Sequence, residues 1–184
     1  MKKLSRRARI ATGGAVLAAV AAGTFGTVSA NASSSASTGV APVASVKGGS
    51  TVTSTHLSID AATKGAQAAL DAAEKENQKV TVAVVDRNGN TLVTLRGDGA
   101  GPQSYESAER KAYTAVSWNA PTSELAKRLA QTPNLKDIPG TLFLAGGAPV
   151  DVKGAPVAAI GVAGAPSGDL DEKFAAAGVA ALGH

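Results

Sequence analysis

The chain has 184 residues and no cysteine, with 18 Lys and Arg against 14 Asp and Glu. This excludes disulfide staples, cysteine zinc sites and thiolate-held or covalently attached haem. A basic pI of 9.5 would point to nucleic acid. However, five basic residues and no acid precede Ser33, and the remainder carries 13 against 14, a net charge of −1. With aromatics at 3%, there is little surface on which bases stack.

Lys2, Lys3, Arg6, Arg7 and Arg9 form a basic start to an uncharged stretch over residues 10–28. That stretch ends in Ala30-Asn31-Ala32, the small-x-small pattern of a signal peptidase site. Residues 1–32 are therefore expected to be a signal peptide, cut before Ser33, with Asn31 as the second choice. Ser5-Arg6-Arg7 fits a twin-arginine signal. Residues 33–54 are rich in Ser, Gly, Thr and Ala without periodicity and are expected to form a flexible linker. About 150 residues remain after cleavage, enough for one folded domain over 55–184.

Within that domain, Ser58 is positioned as an N-cap, and Ile59, Ala62, Ala66, Leu70 and Ala73 repeat at helical spacing. Residues 80–85 and 91–96 are β-branched runs, and Asn88-Gly89 between them is a hairpin signal. A glycine-rich loop at 97–102 follows. It lacks the spacing and the lysine of a phosphate loop, and reads as a connection. A helix is expected over 103–118, and Pro121 opens another. Strands are expected at 141–144, 150–152 and 155–162, then a C-terminal helix from Ser167 to about Leu182. This order predicts an α/β (α+β) fold: a mainly antiparallel sheet of about five strands flanked by helices.

Histidine is scarce: His56 precedes the first helix and His184 ends the chain, so triads and zinc motifs are absent. Three acidic pairs recur at i, i+3 on predicted helices: Asp71/Glu74, Glu106/Glu109 and Asp169/Glu172. That spacing puts two carboxylates on one helix face, where they can share a hard cation such as iron. A solvated helix face, with a helix-capping role for Asp169, is the plainer explanation of these pairs. On the 103–118 helix, Ala108, Ala112 and Ala115 form a packing stripe. Another face carries Glu106, Arg110, Tyr113, Thr114 and Ser117. Thr114, with Arg110 and Lys111 one turn below, combines an oxygen ligand with two cations, a set that suits a metal macrocycle bearing carboxylates. A surface helix with hydroxyls is the plainer explanation of the same residues.

Asp98-Gly99-Ala100, Ser104, Ser107-Ala108 and Lys111-Ala112-Tyr113-Thr114-Ala115 together resemble the signature of the GlcG/HbpS family. So do Gly146-Gly147-Ala148-Pro149-Val150, the run from Ala159 to Asp169, and Asp171-Glu172; Val84-Val85-Asp86 with Gly89 also fits. The similarity spans roughly residues 57–182. It implies a profilin-like fold, haem binding at oligomer surfaces and an octamer. It further implies, as partner, the extracellular domain of a two-component sensor histidine kinase that responds to haem and redox stress. Haem breakdown with iron release, or a corrinoid ligand, is the alternative that the family offers. Thr114 is the expected axial ligand, with Tyr113 and His56 as alternates and Arg110 and Lys111 meeting the propionates. Such a protein is expected outside the cell, in the medium or at the cell wall.

Overall fold

The structure, a computed structural model, describes residues 44–183. The expected signal peptide and the first half of the expected linker lie outside the described residues.

Helix α1 (Ile59–Lys75) starts where the Ser58 side chain accepts a hydrogen bond from the Ala61 amide. It buries a narrow face of Ala62, Gly65, Ala66, Ala69, Leu70 and Ala73. Strands β1 (Thr81–Asp86) and β2 (Thr91–Arg96) form the expected hairpin. Gly89 takes φ +85° in its turn, and Asp86 closes it by accepting from the amides of Asn88 and Asn90, both at 2.8 Å. Helix α2 (Gln103–Trp118) occupies the expected residues, and α3 (Thr122–Arg128) follows Pro121. A 3₁₀ turn at Pro133–Asp137, unforeseen in the sequence, leads toward β3 (Gly147–Val152), β4 (Ala155–Ala163) and α4 (Gly168–Ala180).

Among the described residues the sheet has four strands in the order β2-β1-β4-β3, every neighbour antiparallel. Alternation along β1 and β4 divides the core. Val82, Val84, Ile160 and Val162 pack with α1 and α4, while Ala83, Val85, Ala159 and Ala163 pack with α2. One face is thus built of large aliphatics and the other mainly of alanine. Gly161 extends the small face: a Cβ there would lie 2.1 Å from the Ala108 carbonyl oxygen. Gly147 does the same beside Lys111, at 2.5 Å from its carbonyl. Helix α2 consequently lies directly against the sheet.

The expected strand at 141–144 does not form. These residues have no ladder partner, and the chain bends at Leu144. The Thr141 amide bonds to Ile138, and the Leu142 amide donates to the Thr114 side chain. The alternation that mimicked a strand is alternating burial: Phe143 turns inward against Trp118 and Leu144 turns out. Strand β3 begins three residues earlier than expected, at Gly147. Pro149 is accommodated because β3 is an edge strand.

Candidate functional site

Helix α2 carries most of the expected site, and the sheet determines which of its residues face outward. Thr114 is fully buried. Its hydroxyl donates to the Arg110 carbonyl at 2.7 Å and accepts from the Leu142 amide at 2.7 Å. The expectation that Thr114 presents an oxygen to an outside ligand is therefore corrected: the group anchors the 141–144 segment. Lys111 is likewise internal, because its position on α2 points toward β4 and α4. Its Nζ donates to Asp171 at 2.8 Å and to the Val162 carbonyl at 3.0 Å. In that position it does not reach a propionate on the outer face of the helix, and this expectation too is corrected.

Arg110 and Tyr113 remain at the surface. The Arg110 side chain is 41% exposed and pairs with Glu106 at 3.4 Å. Tyr113 is half-buried between two glycines at positive φ. A Cβ on Gly89 would lie 2.9 Å from one edge of its ring, and one on Gly140 would lie 3.6 Å from the other. Among the described residues, no group hydrogen-bonds its hydroxyl. Glu109, half-buried, accepts from the Thr94 hydroxyl at 3.2 Å. Glu106, Glu109, Arg110 and Tyr113 thus form one line along the outer flank of α2. His56 is exposed ahead of α1, its Nε2 2.6 Å from the Ser54 hydroxyl. His184 lies outside the described residues.

The acidic pairs separate by role. Asp71 and Glu74 are both exposed on α1, Asp71 accepting from Gln67 at 2.7 Å. Asp169 is exposed in the first turn of α4, but Glu172 is engaged within the protein. It accepts from the Ser123 amide at 2.9 Å, Gly146 amide at 3.2 Å and Thr122 hydroxyl at 3.3 Å, and also from the Ser123 hydroxyl. Its carboxylate holds the start of α3 to α4, so Asp169 and Glu172 do not present two free carboxylates together. Among the described residues, no three or more His, Cys, Asp or Glu side chains gather as a metal site.

Two carboxyl groups shift in opposite directions. Burial pushes Asp171 upward against the opposing hydrogen bond and charge of Lys111. Asp86 also feels burial, but the hydrogen bonds from Asn90 and Asn88 outweigh it and hold the carboxyl below its usual range. Asp171 and Glu172 were visible in the sequence only as acids near a helix start. Their internal partners on α2 and α3 lie about fifty or more positions away.

These features place the protein among small α/β domains in which one antiparallel sheet is held between helices and α2 offers a flat polar flank. Residues 57–180 match the family described as haem degrading protein HbpS-like. The chain belongs to this family. A crystal structure of Streptomyces reticuli HbpS carrying two Glu-to-Asp substitutions is 76% identical, over 79% of this chain and 99% of that one, with a TM-score of 0.77. A crystal structure of HbpS is 77% identical, over 77% of this chain and all of that one, with a TM-score of 0.76. The PduOC:heme complex is 26% identical, over 69% of this chain and 95% of that one, with a TM-score of 0.63. The protein is accordingly haem-related.

Proposed function

We propose that this is an exported haem- and iron-binding protein that relays haem and redox stress to the extracellular domain of a sensor histidine kinase. The observation that carries the reading is the family match over residues 57–180, supported by a related domain solved with haem. The residues on α2 fit the group. Arg110 is a surface cation for a propionate, and Tyr113, one turn away, has an unclaimed phenol oxygen for the metal. When bound, haem supplies a redox-active iron. The chain supplies a charged contact and an oxygen donor. Burial of the flat apolar face at about 25 cal/mol per Å² is the main source of affinity. Contact between subunits, in an assembly such as an octamer, extends that burial. Iron is taken by the exposed pair Asp71/Glu74 and by Glu106 with the half-buried Glu109. Glu106 and Glu109 have the same spacing as the two glutamates replaced in the S. reticuli variant.

Absorbance titration of the secreted protein with haemin tests the reading. A saturable new Soret band is expected, and its absence overturns the haem assignment. The family description also favours a second reading, an enzyme that degrades haem and releases iron. Incubating the haem complex with reductant or peroxide separates the two: a discrete biliverdin-like product marks the enzyme, unselective bleaching the sensor. Export by the twin-arginine route predicts that replacing Arg6 and Arg7 by Lys blocks secretion. Undiminished secretion of that variant removes the route.

A further inference from the structure

Among the asparagines of the described residues, Asn88 alone is followed by glycine. It is exposed at the tip of the β1–β2 hairpin, and its carboxamide has no hydrogen-bond partner among the described residues. Gly89 lacks the side chain that would crowd an approach to that carboxamide. The other asparagines differ. Asn90 donates its carboxamide to Asp86 at 3.2 Å, and Asn119 donates to the Gly154 carbonyl at 3.4 Å. Asn77 and Asn134 precede Gln78 and Leu135, whose side chains crowd the following amide. The Gly89 nitrogen donates one hydrogen bond, to the Asp86 carbonyl at 3.0 Å. That bond opens with the exposed tip, where local opening costs least. Gly89 also seats Tyr113, since a Cβ there would lie 2.9 Å from the ring edge.

We propose that Asn88 is a modification site, converted spontaneously to isoaspartate, and that the conversion unseats Tyr113. The Gly89 amide nitrogen attacks the side-chain carbonyl carbon of Asn88. A C–N bond forms, the proton of that nitrogen passes to the leaving amide, and ammonia departs, leaving a five-membered succinimide. Water then opens the ring. Attack at the main-chain carbonyl gives isoaspartate, and attack at the side-chain carbonyl gives aspartate. The step consumes only water. Isoaspartate lengthens the main chain by one methylene between residues 88 and 89. The turn it enters is held by the Asp86 carboxylate, which accepts from the amides of Asn88 and Asn90, both at 2.8 Å. Gly89 must then shift, and the surface it offers the Tyr113 ring shifts with it. The turn acts as a slow, irreversible timer beside the outer flank of α2. The conversion is independent of the haem reading, since it needs no ligand.

Incubation of the mature, haem-free protein at mildly alkaline pH, followed by peptide mapping with isoaspartyl methyltransferase labelling, tests the site. Label should appear at residue 88 before any other asparagine of the folded domain. Asn88→Gln, which cannot close the five-membered ring, should lose it. NMR of the aged protein should show the Gly89 amide and the Tyr113 ring signals shifted. Asn88→Asp carries the new charge without the added methylene, so a fresh sample should keep the Tyr113 ring signals in place. An Asn88 that stays intact while the urea-unfolded protein converts would show that the turn bond to Asp86 protects it, and would overturn the proposal. Earlier conversion at another asparagine would do the same. Tyr113 signals that stay unmoved in the aged protein, or that move equally in fresh Asn88→Asp, overturn the link to Tyr113.

Discussion

Lys111 on α2 and Asp171 on α4 meet at 2.8 Å with both side chains 5% exposed, so the two faces of the sheet are tied by an ion pair around the end of β4. Removing one partner strands a buried charge, at about 3–5 kcal/mol. Asp171→Ala should therefore lower the urea midpoint sharply. Replacing both partners, as Lys111→Met with Asp171→Leu, should cost less than either single change.

The pH dependence of stability separates two carboxyl groups. Asp171 is raised above 3.8 in the fold, so its contribution is present below the unfolded value and lost as pH rises through the folded one. Asp86 is lowered below 3.8, so its contribution is present above that value and lost as pH falls through the folded one. Asp86→Asn should flatten the acid limb of the stability profile. Asp171→Asn should remove a decline that begins above pH 3.8. Urea unfolding between acid and neutral pH checks both signs.

Thr114→Ala should destabilise the protein by about 1–3 kcal/mol, because the Leu142 amide loses its acceptor inside the protein. It should leave the haem spectrum unchanged. Tyr113→Phe should alter the ligand-sensitive bands, and Arg110→Ala should weaken binding without altering them. Spectra and thermal melts of the three variants, measured together, distinguish ligand from scaffold. A spectral change in Thr114→Ala alone would return the ligand role to that residue.

Glu106→Gln with Glu109→Gln should lower bound iron while the melting temperature holds. Glu172→Gln should do the reverse, because that carboxylate accepts from the Ser123 and Gly146 amides. Metal analysis beside a melt reads both effects, and loss of iron in the Glu172 variant alone would reverse the assignment.

The hairpin and helices were legible because their signals are local. Asn88-Gly89 specifies the turn, Ser58 and Ser167 cap helices, and the apolar periods follow from geometry. The outward flank of α2 was legible for the same reason. What was not legible depended on distant partners. Thr114 reads as a surface hydroxyl until Leu142 lies over it. Lys111 reads as an outward cation until α4 brings Asp171 to it, and Glu172 reads as a solvated acid until the start of α3 lies against it. The 141–144 alternation records real burial, but pairing requires a neighbouring strand edge, and no pattern within the segment supplies one.

The small face of the sheet has a consequence for how this domain can change. A methyl group at Gly161 would lie 2.1 Å from the backbone of α2, so Gly161→Ala should cost about 1–3 kcal/mol or more. The opposite flank of the same helix meets no such limit at Glu106 or Arg110. A library randomised on the inner row should yield few folded clones, whereas one randomised on the outer row should yield many, with altered ligand preferences. Close packing on one side of α2 thus leaves the other side open to chemical variation, and new specificities are most accessible there.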